Sequence, residues 1–155
     1  MLLNAVVRWE RSYEARGKAP LLPQSLFAVP SFRNGAVVGT AYFAAMPAMF
    51  LLTTLFLQSG VQLTALTAAF VTIGFALTSS VSSWLGGRLV ARRGRGLVVL
   101  GVSVMLVGVA GMVLAALLLP PGAVGPVMAA IMIVSGIGGG FVISPNQTLM
   151  FSEVP

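Results

Sequence analysis

Residues Leu97–Leu119 read LVVLGVSVMLVGVAGMVLAALLL, a run without a single charged side chain. Wound as a helix at 1.5 Å per residue, it exceeds the roughly 20 apolar residues that cross a hydrocarbon core about 30 Å thick. Three further stretches have the same character: Gly35–Gln58 and Leu66–Leu85 before it, Val124–Met150 after it. Each can span a bilayer. The chain therefore reads as an all-α integral membrane protein with four transmembrane helices, at about 35–58, 66–85, 97–119 and 124–150.

The charges lie between these stretches and set an expected orientation. All nine Lys and Arg residues fall outside the spans. Arg8, Arg11, Arg16, Lys18 and Arg33 precede the first, and Arg88, Arg92, Arg93 and Arg95 lie between the second and third. The connections around Ser59–Gln62 and Pro120–Gly122 carry no charge. Short Lys/Arg-rich loops stay in the cytoplasm, which predicts that both termini lie inside and the two neutral hairpins outside.

Composition excludes most other classes. With 57% hydrophobic and 8% charged residues and a mean hydropathy of +1.00, the chain is far from the soluble average of about 25% charged. The formal net charge of +6 lacks the interleaved aromatics or domain pattern of a nucleic-acid binder, so lipid headgroups are its expected counter-charge. There is no Cys and no His, hence no thiolate or imidazole chemistry. The only acids are Glu10, Glu14 and Glu153, all outside the spans. No nucleophile with a base, no paired carboxylate, no metal cluster and no cofactor motif is present, and the chain reads as a non-enzyme.

Residues 1–34 read as the last turns of a preceding helix followed by a cytoplasmic, interfacial linker. Leu2–Val7 is too short for a secretory signal core and its charges follow it instead of leading it. Trp9 and Tyr13 lie four apart, as on an interfacial helix end, and Gly17 marks a stop. Pro20, Pro23 and Pro30 interrupt any continuous helix, with Leu26, Phe27 and Phe32 as anchors at the membrane surface. At both ends the chain reads as an internal part of a larger protein.

Within the first span, Tyr42, Met46, Met49 and Thr53 follow at intervals of four, three and four, so they share one helix face. That face can pack against neighbouring helices, or it can form a cavity wall on which adaptable Met and aromatic groups suit varied apolar ligands. Pro47 removes one backbone hydrogen bond mid-span. The second span repeats small residues every four positions, Gly74, Thr78, Ser82 and Gly86, and the third places Gly101, Gly108 and Gly111 near one side. Lipid provides no hydrophobic drive for helix association, so such positions bring backbones close enough for packing to supply it.

The fourth span ends in SGIGGGFVISPNQ, Ser135–Gln147. Gly136 and Gly140 form a close-packing pair, Gly138 lies between them, and Pro145 is expected to free a carbonyl and break the helix. A phosphate-binding loop would require a Lys after its glycines, and none occurs here.

Two of these segments carry a resemblance. Gly87, Arg88, Leu89, Val90, Ala91, Arg92, Arg93, Gly94 and Arg95 resemble the cytoplasmic loop motif of major facilitator superfamily transporters, which runs Gly, any, Leu, any, Asp, Arg or Lys, any, Gly, Arg. Ala91 replaces the acid, as in second-half copies of that motif. In the fourth span, Met132, Ser135, Gly136 and Gly138 stand where the family's first half carries Arg, two residues, Gln, Gly, any, Gly; the glycines match and the polar pair does not. The stretch Gly138–Pro155 and the phrase Phe56–Gly60 are similar to the fourteen-helix drug:proton antiporter branch.

The resemblance covers essentially the whole chain. It implies that residues 1–7 end the helix before a C-terminal half and that the four spans are the first four of that half's bundle, completed by the missing helices of the same transporter. It implies proton-coupled efflux of hydrophobic, often cationic small molecules by alternating access. The first and fourth helices of each half line the cavity in this family, which points to Tyr42, Met46, Met49 and Thr53 together with Asn146 and Gln147. A non-transporting membrane protein, either a truncated relic or a helix-packing partner, is the competing expectation.

Overall fold

The computed structural model describes residues 26 and 28–152, nearly all of them helical. Helix α1, Pro30–Leu55, opens with Pro30 in its first turn, where the missing N–H is one of the unpaired donors in any case. It starts inside the segment read as linker and continues through Pro47. A wider π-helical turn, Phe56–Gly60, ends the span; the Val61 N–H donates to the Phe56 carbonyl at 3.0 Å and the Leu63 N–H to Leu57 at 2.9 Å.

Helix α2, Ala65–Arg93, is capped by Thr64, whose hydroxyl oxygen accepts from the Thr67 N–H at 3.2 Å and so satisfies one of the first-turn donors. Its 29 residues make a rod about 44 Å long, well beyond the hydrocarbon layer. The arginines read as a loop are therefore mostly helical: Arg88, Arg92 and Arg93 ride on the end of α2, where the last two favour the negative pole of the helix dipole. Only Gly94 separates α2 from helix α3, Arg95–Leu118. Its φ of 51° and ψ of −133° lie where a Cβ is strained, which is why the reversal is made at glycine. Arg88 stacks its guanidinium 3.8 Å from the centre of the exposed Trp84 ring, a cation–π pair suited to a headgroup layer.

Helix α4, Pro121–Met150, follows α3 after an extended turn at Leu119–Pro120. The expected break at Pro145 does not occur, since the helix runs unbroken to Met150. Proline removes one N–H and crowds the preceding turn, but the ring is received by a glycine on the neighbouring helix: a methyl on Gly86 would lie 3.1 Å from Pro145 Cγ. Tertiary packing of this kind is how membrane helices tolerate proline.

Short connections make the four helices antiparallel in sequence order. Helix α4 lies between α2 and α3 and is the most buried span, whereas α1 is the least. Large apolar side chains point outward all around the bundle, among them Leu66, Phe70, Leu106, Leu117 and Leu118, the reverse of a soluble surface and the arrangement that lipid requires. The apolar core clusters toward the charge-free end around Leu57, Phe75, Met112, Met128 and Met132. Arg33, Arg88, Arg92, Arg93 and Arg95 collect at the opposite end.

Phe32 is buried inside that basic end, edge-on to Phe151 with ring centres 6.0 Å apart. It is thus part of the helix contact and not the surface anchor expected from its neighbours. Leu26 is half-buried. The features read at Leu2–Val7, Arg8, Trp9, Arg11, Tyr13, Arg16, Gly17, Lys18, Pro20, Pro23 and Phe27, and the acids Glu10, Glu14 and Glu153, lie outside the described residues.

Candidate functional site in a helix-lined cavity

The glycine run of α4 is where all four helices meet. Successive helical residues turn by about 100°, so neighbouring glycines face different partners. Gly136 faces Phe75 and Thr78 of α2, and Gly140 faces Ser79 and Ser82 of the same helix. Gly138 meets Gly101 and Met105 of α3, while Gly139 receives the Tyr42 hydroxyl and the Phe75 ring. Gly74 completes the α2 seam, with Ile133 Cγ1 2.7 Å from where its Cβ would stand. The Thr78 hydroxyl reaches the Ile133 carbonyl oxygen at 2.9 Å across the seam and its own Gly74 carbonyl at 2.8 Å. Small residues here admit backbone approach and set the tilt of α1, α2 and α3 around α4.

Around that centre the predicted site residues divide by depth. Tyr42 to Thr53 share a face, yet eleven residues separate their levels by about 17 Å. Toward the charge-free end, Met46, Met49 and Thr53 of α1 and Phe56 of the π-helical turn face Met105, Val109 and Met112 of α3 and Met128 of α4 across a cavity of about 360 Å³. No charged side chain lines it among the described residues. Toward the basic end, Thr40, Tyr42 and Phe43 of α1 face Val142, Asn146 and Gln147 of α4 around a second cavity of about 620 Å³. Tyr42 is therefore grouped with Asn146 and Gln147, and the methionines form a compartment of their own.

Polar groups in these walls differ in their commitments. Asn146 is buried and its Nδ2 donates to the Gly35 carbonyl oxygen at 2.9 Å, joining the start of α1 to the end of α4. Gln147, one position on, is exposed. Tyr42 is buried edge-on to Phe43, and its hydroxyl has no hydrogen-bond partner among the described residues. A buried hydroxyl without a partner is costly, and because this one lies against Gly139 it can meet a ligand only when α1 and α4 move apart. Leu51 points away from both cavities and is 59% exposed.

Sequence reading missed the facing wall. Met105, Met112 and Met128 had no assigned role, although Met105 and Met112 are seven apart and hence on one side of α3. The resemblance is informative where it fails as well. Met132 and Ser135, standing at the motif's Arg and Gln places, are both fully buried. Met132 belongs to the apolar cluster, where a guanidinium would have no partner among the cluster residues; the Ser135 hydroxyl lies against Gly108 without a hydrogen-bond partner among the described residues.

A family model, that of the Major Facilitator Superfamily, matches residues 2–155. The chain belongs to the Major Facilitator Superfamily. Neither a curated protein nor a solved structure matches it. Membership makes this a membrane transporter chain acting on small molecules, and the four membrane-spanning helices agree with it. In the segment that resembles the superfamily's loop motif, Gly87 sits on α2 against Ser144, Gly94 makes the reversal, and Arg88, Arg92 and Arg95 flank it at helix ends.

Proposed function

We propose that the chain forms part of the C-terminal half of a proton-coupled exporter of hydrophobic, often cationic drugs, working at the plasma membrane by alternating access. The observation that carries this reading is the cavity faced by five methionines, Met46, Met49, Met105, Met112 and Met128, with no charged group among the described residues of its lining. Thioethers are polarizable and unbranched, so they fit apolar molecules of different shapes without demanding one. Tyr42, Asn146 and Gln147 supply hydrogen-bonding groups to the neighbouring compartment. The site is thus graded along α1, from soft apolar contact to polar contact.

Among the described residues neither compartment contains an acid, and no Asp or Glu of the chain lies in the apolar stretches. A proton relay through a membrane normally requires an ionisable side chain inside it. In this reading the coupling carboxylate resides on other helices of the transporter. Cells expressing the complete transporter should extrude a lipophilic cationic dye, and a protonophore should abolish the extrusion. Residues 1–155 expressed alone should insert and extrude nothing. Extrusion that persists after collapse of the proton gradient would remove the coupling from the proposal, and the absence of any extrusion would favour a non-transporting protein.

A further inference from the structure

Five of the chain's eight methionines, Met46, Met49, Met105, Met112 and Met128, come from three helices to line the cavity of about 360 Å³. The relative depth of some of them follows from the helices. α1 and α3 run in the same direction, and Asn34 and Val98 border one small cavity near their starts. Met49 lies fifteen residues beyond Asn34 and Met112 fourteen beyond Val98, which places the two at about the same depth, roughly 22 Å along their helices. Met46 stands about one turn below Met49 on the same face. Both pack against the buried apolar cluster that contains Met112 and Met128.

A thioether sulfur is a neutral, polarizable lone-pair donor, and it ligates without losing a proton. Soft ligands of this kind select soft monovalent ions such as copper(I), whereas sodium, magnesium and calcium require oxygen ligands. The compartment offers hard ions little. Among the described residues of its lining Thr53 supplies a hydroxyl and the others are apolar. Arg33, Arg88, Arg92, Arg93 and Arg95 gather at the opposite end of the bundle, so their repulsion of a cation is weakest here. Each methionine has three rotatable side-chain bonds, which lets several sulfurs from facing helices converge on one small ion.

We propose that this compartment binds a soft monovalent metal ion, silver(I) or copper(I), through the sulfurs of Met49 and Met112, with Met46 or Met128 as a third ligand. The bound ion would tie α1 to α3 across the cavity. The site uses the compartment assigned to drug contact but does not depend on drug export, since apolar contact requires no sulfur lone pair and metal ligation requires no transport. With no titratable ligand, the affinity stays constant between about pH 6 and 8.

Silver(I) nitrate titrated into the purified chain in chloride-free buffer tests this, with methionine methyl groups followed by NMR. The chain has no Cys and no His, so its thioethers are the soft side-chain ligands left to a thiophilic ion. Silver should saturate at about one per chain. The methyl signals of Met49 and Met112 should shift, while that of Met150, which borders the other compartment, should stay in place. Met49→Leu and Met112→Leu conserve apolar volume and should each weaken binding at least about tenfold, because losing even an outer partner of a metal ligand costs about that much. Met150→Leu should leave binding unchanged, and excess sodium or magnesium should not displace the silver. Met49 is only half-buried, so Met49→Leu carries the test if Met112→Leu does not fold. The drug-export reading stands or falls separately, on dye extrusion. Absence of silver binding, or equal affinity in Met49→Leu and wild type with no shift of the Met49 and Met112 methyl signals, would overturn the proposal.

Discussion

Gly101 of α3 and Gly138 of α4 face each other so closely that a methyl on either would lie 2.7 Å from the carbonyl oxygen of the other. The clash is with backbone on both sides, so no side-chain rotation relieves it. Gly101→Ala and Gly138→Ala should each destabilise the bundle by about 1–3 kcal/mol, the usual cost of overpacking. Gly96→Ala and Gly122→Ala, where nothing lies within 4 Å of the new methyl, should stay within about 0.5 kcal/mol. Reversible unfolding in mixed detergent micelles measures both, and equal effects at all four positions would contradict the packed seam.

The inside-out arrangement of charge makes a topology prediction. With no native Cys, single replacements report cleanly to a membrane-impermeant thiol reagent. Gly122→Cys should label in intact cells, whereas Gly96→Cys should label only after permeabilisation. These sites suit the purpose because both are open, unlike Gly94, whose positive φ penalises any side chain. Labelling of Gly96→Cys from outside would invert the proposed orientation.

Tyr42 supplies a test that separates stability from recognition. Its hydroxyl is buried without a partner among the described residues, so Tyr42→Phe should leave stability unchanged or raise it slightly. If the cavity receives ligand, the same substitution should weaken binding of compounds bearing a hydrogen-bond acceptor by about threefold to tenfold, the worth of one neutral hydrogen bond. Compounds without an acceptor should be unaffected. Loss of stability on removal of the hydroxyl would mean that it is satisfied within the protein.

Much of the fold was legible because lipid imposes simple demands. Four apolar runs of spanning length could only pair their backbones internally, and the positions of Arg33, Arg88, Arg92, Arg93 and Arg95 fixed which helix ends lie together. The small-residue seam was legible from the four-residue spacing of Gly74, Thr78, Ser82 and Gly86, which does meet Gly136 and Gly140 of α4. Helix ends were less so: hydropathy marks the edge of the apolar layer, while α2 continues through charged residues to Arg93. Pro145 misled because its effect depends on whether a neighbour can receive the ring, and Gly86 is distant in sequence. For the candidate site, one face of α1 was visible from its own spacing, but Met105, Met112 and Met128 acquire a role only once α3 and α4 are placed opposite it.

The central claim is that the face of α1 bearing Tyr42 and Met46 contacts substrate, and a substrate-profile comparison in the complete transporter tests it most directly. Resistance to a panel of lipophilic cations and neutral compounds is measured for Met46→Ala, Tyr42→Ala and Leu51→Ala at matched expression. The account predicts that Met46→Ala reorders the panel most for wholly apolar compounds, that Tyr42→Ala does so most for compounds carrying a hydrogen-bond acceptor, and that Leu51→Ala leaves the order unchanged. Equal effects from Leu51→Ala and from the two cavity substitutions would contradict it, because the face would then be a packing stripe and the cavities mere gaps between helices.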